Sequence, residues 1–264
     1  SGIINFGIFP AVGGRFFQYY CGFPEVIVDF GMKFDLVYAL IMAFLLGISL
    51  TFTFLGGQIA VMVTDFFQGI FVNAVFAVMG IFLLLFLFDW SVIMEAAAMA
   101  PADASLINPL NTSNTDNFNV NYFLIQAFGA VYVFMAWQGN QGYYGSARSP
   151  HDARMGRLIG QLRPITQTLP LVLLPMCAWA FLHHADFAAE AVGAHAALDA
   201  IDSEQIRSQL TVTVATAHFL PPVIAGLFAA VMLAAFISTH DTYLHSWGSI
   251  FIQDVVMPVR QNLL

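Results

Sequence analysis

Four positions in LAAFISTHDTYLHSW (residues 233–247), Ala235, Ser238, Thr239 and Thr242, fall at i, i+3, i+4 and i+7. That spacing puts them on one face of a helix. Two adjacent hydroxyls and a nearby backbone carbonyl make a patch of neutral oxygens, and hard cations prefer oxygen ligands. The same face has a plainer use: Ser and Thr bond back to their own i−4 carbonyls and let helices pack closely. Spacing leaves both uses open. Asp241 and His245 are four apart and placed to pair with each other; as a metal site they lack a third ligand nearby.

Asp65 follows Gly57 by eight residues, roughly 12 Å along a helix, inside an otherwise apolar stretch. An ionisable group in hydrocarbon costs about 2.5–3.5 kcal/mol on insertion scales, so it is expected to face protein or a wet cavity. It serves there either as a bond to a neighbouring helix or in an ion or proton path. A third stretch, AWQGNQGYYGSA (136–147), sets Gly139, Gly142 and Gly145 among Trp137, Gln138, Asn140, Gln141, Tyr143 and Tyr144. Each Gly disfavours helix by about 1 kcal/mol relative to Ala, which predicts an interruption near 138–142. Broken helices of this kind build sites near the midplane of many transporters, and small residues also permit tight packing. His183, His184 and His218 read as interfacial side chains.

The elements that carry these groups follow from composition. Of 264 residues, 59% are hydrophobic, 15% aromatic and only 9% charged, with net charge −8; mean hydropathy is +0.77. Soluble domains carry about 25% charged residues, so a soluble enzyme is excluded, as is a disordered chain. Eight Lys and Arg form no basic face for nucleic acid. Cys21 and Cys177 make no CxxC and no zinc cluster. An all-α membrane protein in the bilayer remains. A spanning helix needs about 20 apolar residues, and uncharged windows predict a single transmembrane domain over 1–264. Its spans are roughly 34–55, 58–88, 121–146 (broken near 138–142), 164–184 and 217–243, with Gly56-Gly57 separating the first two.

The segment IINFGIFPAVGGRFFQYYC falls short of a full span and reads as part of an earlier helix, and the chain as a fragment. Arg148, Arg154, Arg157 and Arg163 share one loop, while Asp186, Glu190, Asp199, Asp202 and Glu204 share the next. Positive charge favours the cytoplasmic side. Loop 147–163 is therefore expected in the cytoplasm, loops 89–120 and 186–207 outside, and Arg260 inside; Arg15 and Lys33 run against the bias. The location expected is the plasma (inner) membrane.

Two segments together resemble the sodium:solute symporter family. One is GGQIAVMVTDFFQ, Gly56 to Gln68, similar to the family's Gly-Gly, short apolar stretch, Thr-Asp and Gln. The other is AAFISTHDTYLHS, Ala234 to Ser246, similar to its Ala-Ala, Ser-Thr, Asp-Ser pattern, with Thr242 in place of the second Ser. The resemblance implies a LeuT-type bundle of two inverted five-helix repeats, of which this chain holds part of the third core helix and the fourth to eighth. It implies sodium as the co-transported ion, bound by the Ala235 carbonyl and the Ser238 and Thr239 hydroxyls, with further ligands from the first core helix outside this chain. Asp65 corresponds to the family carboxylate near the inner sodium exit. Asn140 and Tyr143 match an Asn-x-x-Tyr pair of sodium-coupled sugar symporters, in which the Asn contacts sugar and the Tyr gates the inner side; Gln141 lies between them. The Gln-Arg pair usual a few residues later reads Gly145-Ser146 here.

The function expected is sodium-coupled symport of a small polar solute, with no catalytic residue and no metal beyond sodium. Its partners are that solute, the lipid bilayer and the remaining helices of the same polypeptide, and by itself this segment is expected not to transport. Two alternatives stand beside it. An intramembrane enzyme would use Ser238, His240 or Asp241 but shows neither GxSxG nor HExxH. A non-transporting sensor or scaffold would share the fold.

Overall fold

The computed structural model describes residues 2–29, 31, 33–101, 103–108, 110–113, 115, 119–136, 138–161 and 163–261, with backbone alone for 2–6, 132–136, 138–141 and 261. Helices dominate: α1 (Gly2–Tyr20), α2 (Leu36–Phe82), α3 (Trp90–Ala98), α4 (Val120–Ala136), α5 (Gln138–Gly145), α6 (Pro150–Gly160), α7 (Arg163–His183), α8 (Val192–Asp199), α9 (Glu204–Phe219), α10 (Pro222–Phe251) and α11 (Met257–Gln261). A two-stranded antiparallel hairpin, β1 (Ile27–Asp29) with β2 (Lys33–Asp35), precedes α2 and pairs Val28 with Phe34. Three stretches, Leu36–Leu87, Pro150–His183 and Pro222–Arg260, are long and apolar enough to cross a membrane, and Val120–Val131 is a shorter apolar helix. The chain is an α-helical membrane protein.

The apolar N-terminal segment is a helix of 19 residues, α1. Two local features depart from the sequence expectation. The expected span 217–243 is not one helix: it begins in α9, which ends at Phe219, and continues in α10 from Pro222, because Leu220 is extended (φ −76°, ψ 133°) before Pro221-Pro222; a residue preceding proline is pushed out of the helical region. Residues 138–145 are helical through Gly139 and Gly142, where an interruption is predicted. In apolar surroundings every backbone N–H and C=O needs a partner, and that requirement outweighs about 1 kcal/mol per Gly. Residue 137, between α4 and α5, lies outside the described residues.

The chain divides into two compact units. One comprises residues 1–75, 138–161 and 222–264. Here α1 lies antiparallel on α10: Phe9 meets Tyr243 edge-on at 5.4 Å, Phe16 meets Phe228 at 5.8 Å, and the Tyr20 hydroxyl donates to the Ala225 carbonyl at 3.0 Å. The helices approach so closely at Gly13 that a Cβ there would sit 2.5 Å from the Phe236 ring. At Gly57 (φ 54°, ψ −158°) α2 leaves helical geometry, in a region essentially open to Gly alone. The chain reverses there relative to α10. Before the break Thr53 reaches Asp241; after it Asp65 reaches Thr242, and Gln58 and Val61 share a cavity wall with Ser246, Ser249 and Gln253.

The second unit comprises residues 76–137 and 162–221. α7 packs on α3 and α9, and Phe88, Phe181, Phe187 and Phe219 cluster with ring centroids 5.0–5.8 Å apart. The Trp179 indole donates to the Ala96 carbonyl at 2.8 Å, tying α7 to α3. Pro170 and Pro175 lie inside α7, which neighbouring helices make tolerable at membrane depth. His184 stands 3.4 Å from Glu95 and 3.5 Å from Asp186.

Candidate functional site

Three elements of the first unit converge. α2 brings Asp65 to its position eight residues beyond the Gly57 turn, α5 brings Tyr143, and α10 brings Thr242. The Tyr143 hydroxyl donates to Asp65 Oδ2 and lies 3.1 Å from Thr242 Oγ1. The Thr242 hydroxyl in turn reaches the same carboxylate oxygen at 3.4 Å. One carboxylate oxygen is thus held by two hydroxyls from two other helices, 78 and 177 residues away in sequence. Asp65 Oδ1 is buried and has no protein partner in the described structure.

Next to Thr242 on α10, Asp241 is fully buried at 0% exposure. Its Oδ1 accepts weakly from Thr53 at 3.5 Å, and Oδ2 has no partner. The expected Asp241–His245 bond is not formed, since the carboxylate turns to α2 instead. Ser49, one helical turn before Thr53 and also fully buried, leaves its hydroxyl oxygen unmatched, as does Gln68 Oε1. Buried polar atoms are nearly always satisfied, and an ionised carboxylate buried alone is costly. These oxygens therefore suit a cation or water.

Ala235, Ser238 and Thr239 sit half-buried one to two turns before Thr242. The Thr239 hydroxyl donates to the Ala235 carbonyl at 2.8 Å, the helix back-bond anticipated for Ser and Thr. It leaves lone pairs on both oxygens and brings two of the three expected ligand atoms side by side. His240 lies on another face, its ring stacked on Phe236 at 3.8 Å and edge-on to Phe9 of α1 at 6.4 Å. The side chains of Asn140 and Gln141 lie outside the described residues; their backbone belongs to α5, which packs against α10.

Between α2, α5 and α10 a cavity of about 270 Å³ is lined by Gln58, Ser146, His245, Ser246, Ser249 and Gln253 among others, with Tyr143 and Thr242 in its wall. The Gln58 amide donates to the Gly142 carbonyl at 3.2 Å and closes α2 onto α5. Sequence reasoning missed Gln58, Ser246 and Ser249 as members of this site and gave His245 only a pairing role. The signal was available for α10, because Ser238, Thr242, His245 and Ser249 repeat at i, i+4, i+7 and i+11.

Helices of bilayer length and a half-buried carboxylate held by two hydroxyls characterise an integral membrane protein. A model of the sodium:solute symporter family matches residues 29–263, and the chain belongs to that family. It is a sodium-coupled solute symporter, a transporter and not an enzyme. Comparison with curated proteins and with solved structures gives no match.

Proposed function

We propose that α10 holds the coupling sodium through the Ala235 carbonyl and the Ser238 and Thr239 hydroxyls, and that Asp65 stands on the route by which the ion leaves. The observation carrying this reading is the meeting of Asp65, Tyr143 and Thr242, one residue from each of the three segments with unusual polar chemistry. A small polar solute binds beside α5, with Asn140, Gln141 and Tyr143 as its contacts. The bundle is the half-built LeuT-type inverted repeat that the motifs imply.

The length of α2 agrees with two crossings. The 52 residues of Leu36–Leu87 would extend about 78 Å as one straight helix, more than twice the ~30 Å hydrocarbon core; a reversal at Gly57 gives two segments of bilayer length. The cavity supports placing the Gly57 turn, loop 147–163 and Arg260 on one side of the membrane, the cytoplasmic side by the bias of the basic residues; the plasma (inner) membrane is the location this reading takes. Gln58 follows the Gly57 turn, Ser146 precedes the arginine-bearing segment and Gln253 precedes Arg260; all three line the same cavity. Sodium bound at α10 favours the outward-open state, and coupling requires the ion to bind the two states with different affinity.

The test is Ser238→Ala with Thr239→Ala in the full-length protein. The expected outcome is a loss of the sodium dependence of solute uptake with the protein still in the membrane. Unchanged sodium dependence would remove these hydroxyls from the ion site.

A further inference from the structure

We propose that α6 is an interfacial helix that docks on anionic phospholipid headgroups of the leaflet on the side of loop 147–163. The inference stands apart from the ion site. Within α6 (Pro150–Gly160), Met155, Leu158 and Ile159 fall at i, i+3 and i+4, one row along the helix, and they stand 41%, 58% and 62% exposed. Arg154 and Arg157, three apart and both exposed, form the row beside it, and Ala153, Gly156 and Gly160 make a third side of small residues. Arg148 before the helix and Arg163 after it are exposed as well. Residues 147–163 thus hold four of the chain's eight basic residues and one of its sixteen acidic ones, Asp152, in a chain of net charge −8. That one acid sits in the first turn and accepts from the Ser149 hydroxyl at 2.8 Å, where the helix dipole favours a negative charge.

Length and connection fix the depth at which α6 lies. Its 11 residues rise about 16 Å, half of the ~30 Å hydrocarbon core, so it does not cross. Two residues after Gly160 the chain enters α7 at Arg163, in a stretch apolar enough to span; α6 therefore belongs where headgroups meet acyl chains. A helix shorter than about 12–15 residues is marginal in water by itself. Among the described residues α6 has no extended packing against another element, and Arg157, 5.8 Å over the Tyr144 ring, ties it to α5. The uncovered apolar row calls for an apolar surface, and the guanidinium groups beside it call for anions. An anionic leaflet supplies both at one depth: the apolar row enters the boundary by about 5–10 Å, while the arginines stay level with the phosphates they bind bidentately. Basic residues collect on the cytoplasmic side of membrane proteins in general; their alignment beside an uncovered apolar row is what a headgroup-binding helix requires. Each arginine at an anionic surface strengthens binding roughly fivefold.

The experiment places the full-length protein in lipid nanodiscs, one set of phosphatidylcholine alone and one with about one-third phosphatidylglycerol, and reads amide hydrogen exchange in residues 153–160. Both leaflets of a disc share one composition, so the result does not depend on orientation. Exchange is expected to be about tenfold slower in the anionic discs, with the difference shrinking as salt is raised. Arg148→Gln with Arg154→Gln, two exposed side chains outside the ion path, is expected to remove most of that difference. Leu158→Gln with Ile159→Gln is expected to leave exchange fast in both discs. Equal exchange of the wild-type protein in the two discs would overturn the proposal: equally fast, and α6 is undocked; equally slow, and a second copy or another segment of the polypeptide covers its apolar row. A difference kept in full by the arginine variant would overturn it too. Sodium movement does not enter this readout, so the ion site at Ser238 and Thr239 stands or falls by its own test.

Discussion

Replacing Gly57 by Ala tests the turn on which the whole site depends. Its backbone (φ 54°, ψ −158°) lies where a residue with a Cβ is held only at a cost of order 1–3 kcal/mol. No atom lies within 4 Å of a Cβ built there, so the cost is conformational and repacking offers no relief. Gly69 supplies the control: it sits within the helical part of α2, and its built Cβ also meets nothing within 4 Å. Gly69→Ala should gain about 0.8–1 kcal/mol from helix propensity. Gly56 is unsuitable as a control, because its Cβ would lie 2.0 Å from that of Ala60. The two variants should then differ by about 2–4 kcal/mol, or roughly 30-fold to several-hundred-fold in the folding equilibrium. Denaturant unfolding in detergent micelles, followed by circular dichroism, reads that difference. Function should follow stability, since straightening the chain at Gly57 would set Thr53 and Asp65 about 18 Å apart and withdraw Asp65 from α10. If Gly57→Ala proves as stable as Gly69→Ala, the left-handed turn and the reversal built on it are wrong.

Two further outcomes follow from the same geometry. Tyr143→Phe removes a hydroxyl bound to a carboxylate and should cost about 1.5–3 kcal/mol in the state where the Asp65 contact is made; sodium titration of uptake should show a shift of roughly tenfold or more, and an unshifted titration would mean that the contact carries no weight. Outside the spans, burial pushes the Asp35 carboxyl up, but hydrogen bonds from Gln18 and from the backbone N–H groups of Val26 and Val37 outweigh it and hold the carboxyl below the usual range. A carboxyl with depressed folded-state affinity for protons contributes stability that is complete above the unfolded value near 3.9 and is lost as pH falls through the folded value. Amide exchange at Val26 and Val37 should therefore quicken below about pH 4, and Asp35→Asn should quicken it at neutral pH.

What the amino-acid order revealed depended on distance along the chain. Gly56-Gly57 marked a break between helices, because glycine is the residue that tolerates one, but its direction appears only through the contacts of Thr53 and Asp65 with α10. The oxygen face of α10 was legible because helical neighbours lie three and four residues apart. Its partners were not: no periodicity links Thr242 to Asp65 or Tyr143. Two local signals were misweighed. The Pro221-Pro222 pair already announced that the expected span 217–243 crosses a helix boundary, and the glycines at 139 and 142 have less disruptive force where backbone groups lack water. The polar stripe of α10 runs on beyond Thr242, where His245 and Ser249 continue the spacing set by Ser238.

The coordination of Asp65 also sets a schedule for biosynthesis. When the hairpin around Gly57 enters the bilayer, its carboxylate arrives before either hydroxyl that will hold it. Tyr143 is 78 residues downstream and Thr242 is 177. At about 5–20 residues per second, Thr242 emerges roughly 9–35 s later. For that interval the nascent segment carries most of an insertion penalty of about 2.5–3.5 kcal/mol, met by the apolar residues that flank it. Hydrophobic side chains such as Phe66, Phe67, Ile70 and Phe71 thus keep Asp65 in the membrane until α10 supplies Thr242.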